Sequence, residues 1–298
     1  MKPFDVKKIL IPVDFSETSL LAIKHAAFMA KLFKADITLL HVVEKNWESF
    51  SIVAPEIVVE NKAVITQKID QKLKELANSI HKEYSVVVSH FFSNGNIYEE
   101  IQSVCKEKNI DLVVMGTHGA SGFEEFFIGS NTYKVVTQSD CPVLSVQTIA
   151  NKIGFHNILL PVDNTMHSLQ KVNVALKLAE RYAAKIHICG LLEDVADATD
   201  VKKIELKIEH VKKFIENHKI SHTTTVLKGK NYAKTTLEYA QKNTDLIVIM
   251  TDQEDDITGL FLGPYAQQIV NHSKIPVLSI QPETGNLEFP DLSGGYHA

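Results

Sequence analysis

The chain of 298 residues carries the same text twice. Ile9-Leu10-Ile11-Pro12-Val13-Asp14 returns as Ile158-Leu159-Leu160-Pro161-Val162-Asp163, 149 residues on. Asp111-Leu112-Val113-Val114 returns as Asp245-Leu246-Ile247-Val248, now 134 residues on. Cys141-Pro142-Val143-Leu144-Ser145-Val146-Gln147 returns as Ile275-Pro276-Val277-Leu278-Ser279-Ile280-Gln281 at that second offset, as do Gly95 at Gly229 and Tyr98 at Tyr232. A period this long is a duplicated domain, not a solenoid unit. The shrinking offset gives the second copy a shorter middle. The expected layout is one domain over residues 1–149, a second over 155–282, and a tail over 283–298 without hydrophobic period.

Within each copy short apolar runs alternate with helical stripes. In the first, Lys8–Val13, Ala35–Val43, Val86–Phe92, Asp111–Met115 and Val143–Gln147 read as strands. Ser16–Phe33 reads as a helix capped by Ser16, with Leu20, Ile23, Ala27, Ala30 and Phe33 inward. Ile65, Ile69, Leu73, Leu76 and Ile80 form a second stripe, and Ile97, Ile101, Val104 and Cys105 a third. Strictly alternating βαβ units imply an α/β fold: an open, parallel five-stranded sheet in each copy, flanked by helices. Ligands of such sheets sit beyond the carboxyl ends of the strands.

The chemistry concentrates there. After the apolar run ending at Met115 comes Gly116-Thr117-His118-Gly119, then Gly129-Ser130 at the start of another helix. Glycines let a backbone approach a ligand and adopt φ > 0, and a helix opened by Gly-Ser presents unpaired N–H groups and a positive dipole end. The reading is a site for a phosphate-bearing ligand. A Walker A loop, the dinucleotide pattern G-x-G-x-x-G and the G-x-S-x-G elbow are all absent, which disfavours P-loop, NAD or FAD, and α/β-hydrolase chemistry. A net charge of −5 speaks against a nucleic-acid binder. No apolar run is long enough for a membrane span, and the first strand starts too early for a signal peptide, so the expectation is cytoplasmic. Cys105, Cys141 and Cys189 are odd in number and far apart in sequence, so they suggest neither a disulfide framework nor a zinc knuckle and read as small buried residues. His41 reads as a side chain pointing into or across the sheet. Trp47 and Phe50 lie in an expected long loop from Lys45 to Asn61, packed or over the pocket.

Pro12-Val13-Asp14-Phe15-Ser16, Leu40-His41-Val42, Gly95, Met115-Gly116-x2-Gly119-x9-Gly129-Ser130 and Pro142-Val143 resemble the universal stress protein family, in the branch that binds ATP. The resemblance spans the first copy entirely and the second in its framework. It implies a Rossmann-like fold of the adenine nucleotide alpha hydrolase kind. It also implies that the last strands of the two copies pair as a pseudo-twofold dimer within the chain, burying two edges, and it admits a further homodimer of tandem chains. Residue by residue, it implies that Pro12, Val13 and Val42 hold adenine through main-chain groups, that Asp14 faces the ribose, that Met115, Gly116 and Gly119 line the ribose and inner phosphates, and that Gly129, Ser130 and Asn131 bind the outer phosphates. The ligand would be ATP or another adenine nucleotide, with Mg2+ or Mn2+ as the ion that accompanies a triphosphate, and the reader of the bound state an unidentified regulatory protein.

The second copy departs at the site. Met250 stands for Gly116, Gln253 for Gly119 and Pro264 for Ser130, and Asp252-Gln253-Glu254-Asp255-Asp256 adds negative charge. The expectation is one live nucleotide site per chain, with Asp163 alone not making a second. Three functions stay open on the sequence: a non-catalytic nucleotide-binding regulator, a slow ATPase or self-phosphorylating enzyme using Ser130 or Thr132, and a scaffold without nucleotide.

Overall fold

The computed structural model describes residues 4–44, 55–117, 129–147, 149–150, 152–251 and 263–282. These fall into two compact units, one over Val6–Ile153 and the other beginning at Gly154.

The first unit runs β1 (Lys8–Pro12), α1 (Glu17–Phe33), β2 (Asp36–Val43), α2 (Pro55–Tyr84), β3 (Val88–Asn94), α3 (Ile97–Lys108), β4 (Leu112–Gly116), α4 (Ser130–Gln138) and β5 (Val143–Val146). Its strands order as β3-β2-β1-β4-β5, every pair parallel. Ile9, Leu10 and Ile11 of β1 and Leu112, Val113 and Val114 of β4 are wholly buried. That burial explains why these strands read as unbroken apolar runs, not as alternation. Ser16 caps α1 by accepting from the Ser19 N–H, and Asn96 caps α3 by accepting from Tyr98 and Glu99.

The second unit repeats the plan with β6 (Asn157–Val162), α5 (Val172–Tyr182), β7 (Lys185–Leu192), α6 (Ala198–Asn217), β8 (His222–Lys228), α7 (Tyr232–Asn243), β9 (Leu246–Met250), α8 (Pro264–His272) and β10 (Val277–Ile280). The order is β8-β7-β6-β9-β10, again all parallel. The repeated aspartates have a structural task. Asp111 Oδ2 accepts from the Lys7 and Lys8 N–H groups at 2.8 and 2.9 Å, tying the start of β1 to that of β4. Asp245 Oδ1 does the same for His156 and Asn157, both at 2.9 Å.

Three details differ from the sequence reading. Leu20 lies on the outer side of α1, 38% exposed, and Ala22, Ala26 and Met29 take the inner places beside Ile23, Ala27, Ala30 and Phe33. The third strand starts two residues later than Val86. The stretch expected as loop as far as Asn61 is helical from Pro55, because proline's fixed φ suits a first helical position. Trp47, Phe50, His118, Gly119, the acidic stretch 252–256 and the tail 283–298 lie outside the described residues.

Candidate functional site

In the first unit β1 is central, and the chain crosses over from it in both directions across the sheet, β2 to one side and β4 to the other. Such a switch point opens a crevice at the carboxyl ends of the strands. A cavity of about 210 Å3 sits there, lined by Pro12, Val13, Asp14, Val42, Met115, Gly116, Gly129, Ser130 and Asn131, with Ser19, Leu40, Ile97 and Thr132. The residues nominated by sequence converge on it, Gly119 aside, which falls outside the described residues.

Each wall has a local cause. Beyond Pro12 the chain leaves the sheet in a tight turn. Asp14 Oδ1 accepts from the Ser16 N–H at 3.0 Å and from the Ser16 hydroxyl at 2.6 Å, and Phe15 adopts a left-handed φ of 63°. A bulky residue in that region is strained and needs outside support. His41 and Lys72 supply it. The His41 ring lies 5.0 Å from the Phe15 ring, and Lys72 Nζ sits 5.4 Å from the ring centroid. His41 Nδ1 also donates to the Val13 carbonyl at 2.6 Å, across the strand gap, as its place in β2 suggested. The Val13 N–H is already spent on the Leu40 carbonyl at 2.8 Å. Val13 therefore offers a ligand only its second carbonyl lone pair. Val42 is better placed. Residues of a parallel strand bond alternately to the two neighbours; Leu40 faces β1 through its carbonyl, and Val43 faces the β3 side through its bond from Gly95. Val42 accordingly turns its N–H and C=O to the side that β1 has just vacated, since the last β1–β2 pair is Pro12 with Leu40.

The opposite wall is the start of α4. Gly129 is its N-cap, without a side-chain cap, and its N–H bonds the Thr117 carbonyl at 2.8 Å. The N–H groups of the first turn, from Ser130 onward, have no carbonyl of their own helix to bond. No acidic residue occupies that turn, so the positive end of the dipole is left for a ligand. Ser130 is the first helical residue. Thr132 is committed: its hydroxyl donates to the Gly116 carbonyl at 2.9 Å, closing β4 onto α4.

The glycines work differently from expectation. Gly129 has φ −58°, and among the described glycines only Gly154 has positive φ. A Cβ on Gly116 would stand 2.7 Å from Thr18 Cγ2 and 3.1 Å from the Thr18 backbone carbon. Gly116 is thus small because α1 rests on β4 there. A Cβ on Gly129 would meet the Thr117 carbonyl oxygen at 3.2 Å.

The corresponding place in the second unit keeps the turn and surrounds it with different side chains. Asp163 Oδ1 accepts from Thr165 N at 2.9 Å and Thr165 Oγ1 at 2.6 Å, repeating the Asp14 arrangement. A 3-10 turn, Met166–Leu169, then replaces the first turn of a full helix. Lys171 takes the place of Ala22 and is 3% exposed. Burial pushes the Asp163 carboxyl up, but the Lys171 ammonium and the Thr165 and Ser168 hydrogen bonds outweigh it and hold the group below the usual carboxylate value. Lys207 Nζ donates to the Asp163 and Thr165 carbonyls at 2.9 and 2.8 Å. Its own ammonium is pulled down by burial and supported by Asp163. Across from them Pro264 removes an N–H from the opening turn of α8, and Tyr265, at the place of Asn131, bonds its hydroxyl to Thr236 at 3.2 Å. Sequence reasoning singled out Pro264 and Met250 and missed the two lysines. The signal was present at position 171, where a charge stands at a place that is Ala22 in the apolar run Leu20-Leu21-Ala22-Ile23 of the first copy.

The profile of the universal stress protein family matches residues 5–147 and again residues 154–281. Universal stress protein MJ0577 of Methanocaldococcus jannaschii is 32% identical over 154 residues, which is 47% of this chain and 94% of that protein. Universal stress protein YxiE of Bacillus subtilis is 32% identical over 145 residues, 47% of this chain and 98% of that protein. The crystal structure of a universal stress protein from Archaeoglobus fulgidus covers 94% of this chain and 98% of its own at a TM-score of 0.71; at 19% identity the likeness is one of fold.

Proposed function

The chain belongs to the universal stress protein family, and we propose that its first half binds one adenine nucleotide, ATP foremost, as a non-catalytic regulator in the cytoplasm. One observation carries this reading: a crevice at the switch point of a parallel sheet ends on an uncapped helix N-terminus, Gly129-Ser130-Asn131. The triphosphate lies on those N–H groups, as anions do at such ends. Asp14 takes the ribose hydroxyls, and Val42 offers adenine a donor and an acceptor in line. Met115, Gly116 and Gly119 flank the inner phosphates. A divalent ion, Mg2+ or Mn2+, enters with the triphosphate.

Occupancy favours one conformation of the segment between Gly116 and Gly129, and a regulatory protein reads that population. The second half supports the first without a nucleotide of its own, because Lys207 already holds the Asp163 and Thr165 carbonyls and Lys171 stands beside the carboxylate.

The test is the nucleotide released by acid from freshly purified protein, identified by mass spectrometry and counted per chain. About one adenine nucleotide per chain is expected, by the one-open-site argument. Two per chain would revive the second half. None, with no binding of added ATP, would leave a scaffold. Product accumulating beyond one equivalent would replace the regulator with a slow ATPase.

A further inference from the structure

Two of the three cysteines, far apart in sequence, meet in the fold. Cys105 lies in the last turn of α3 and is buried; Cys141 lies in the turn between α4 and β5 and is half-buried. Their sulfurs are 3.9 Å apart, and the Ser139 hydroxyl stands 3.4 Å from the Cys141 sulfur. The backbones that carry them are latched together around the sulfurs. Gln102 Nε2 donates to the Gln138 carbonyl at 3.0 Å, and Lys106 Nζ lies 3.8 Å from Asp140 Oδ2. A disulfide needs the sulfurs at ~2.05 Å, so the two side chains must turn toward each other while this frame holds their backbones near.

We infer that Cys105 and Cys141 are a reversible oxidation site, closed to an intramolecular disulfide by peroxide. Cys141 is the less buried residue of the two, and so the one attacked first. Hydrogen bonding from Cys105 outweighs burial and the Asp140 and Asp111 carboxylates, holding the Cys141 thiol below its ordinary range, while hydrogen bonding and burial push Cys105 up. The thiolate is the nucleophile, so this division suits the two roles. The Cys141 thiolate attacks one peroxide oxygen, the O–O bond breaks, hydroxide leaves and Cys141 becomes a sulfenic acid. The Cys105 sulfur then attacks the Cys141 sulfur, the S–O bond breaks, and the departing hydroxide takes the Cys105 proton as water. Two thiols lose two electrons and two protons, and one peroxide becomes two waters.

The bond would close the 36-residue span that holds β4, Gly116 and the start of α4. The second half has no counterpart, since Tyr239 and Ile275 stand where the cysteines would be. The inference concerns the thiols alone and holds or fails whether or not a nucleotide binds.

The experiment treats the full-length protein with hydrogen peroxide, alkylates it with N-ethylmaleimide in denaturant, digests it without reductant and maps the peptides. Expected is a cross-linked peptide pair holding Cys105 and Cys141 within one chain, with Cys189 alkylated, and recovery of three alkylatable thiols after dithiothreitol. Cys105 alkylated beside an over-oxidised Cys141, a bond between chains, or three thiols untouched would each overturn it. In folded C105S, which keeps a hydroxyl beside the Cys141 sulfur and is checked by circular dichroism, dimedone should trap Cys141 sulfenic acid; if C105S does not fold, C105T serves. No dimedone adduct in the folded variant would overturn the assignment of Cys141 as the attacked sulfur.

Discussion

The Asp14 turn and the Asp163 turn are drawn to one pattern and end in different surroundings. Both follow a buried strand with a carboxylate that accepts an N–H and a hydroxyl from two residues on. In the first half the residues beside that turn leave about 210 Å3 of space. In the second, side chains supply internally what a ligand would supply from outside: cations beside the carboxylate and its neighbouring carbonyls, and a tyrosine hydroxyl on the far wall. A duplicated turn can thus keep its fold while its surroundings change, because its own residues come to satisfy its polar groups.

The comparison breaks most readily at Asp163, whose carboxylate attracts the buried Lys171 ammonium. Asp163→Ala leaves Lys171 buried without its carboxylate, and the expected loss is about 3 kcal/mol in urea denaturation. Asp163→Ala/Lys171→Met should recover most of it. Since the folded Asp163 value lies below the unfolded one, the contribution is present above the unfolded value, about 3.9, and vanishes as pH falls through the folded one. The gap between wild type and D163A should therefore close in acid. Nucleotide per chain should not change in D163A, and a fall by half would mean that the second site is live.

Gly116→Ala comes next. Its new Cβ meets Thr18, and overpacking of this kind costs about 2 kcal/mol. Thr18→Ser removes the methyl nearest that Cβ and should return part of the loss, which a double-mutant cycle reads directly. Additive effects would place the constraint elsewhere.

Ser130→Pro copies the second half into the first. Proline suits a first helical position, so Tm should hold, while one phosphate donor goes and ATP affinity should fall ~10-fold or more by calorimetry. Unchanged affinity would detach α4 from the site. The reverse exchange, Pro264→Ser, should have the smallest effect: no nucleotide gained, because Lys171 and Tyr265 remain.

The sequence announced the strands because those in the centre are buried on both faces and so are written in apolar letters throughout. It announced the convergence of Pro12, Asp14, Gly116 and Ser130 because fold topology brings strand ends together. It could not announce reasons that need three dimensions. Gly116 reads as room for phosphate, yet its missing Cβ serves Thr18, a residue of α1 far away along the chain. The helical turns from Pro55 were hidden by Ile57-Val58-Val59, β-branched residues that weigh against a helix. Cys105 and Cys141 looked unrelated because only the folded chain puts α3 beside the α4–β5 turn. Lys207 belongs to a helix that reads as an ordinary charged surface until Asp163 lies under it.

The seat of Thr18 on Gly116 has a mechanical meaning. It is a seam with no slack, joining the strand that leads to the glycine-rich segment and the helix that opens at the Asp14 turn. Two arms meeting at such a seam cannot shift separately. Amide exchange around residues 14–20 and 113–117 should therefore slow together on ligand binding, so that contact with one end of a nucleotide is felt at the other.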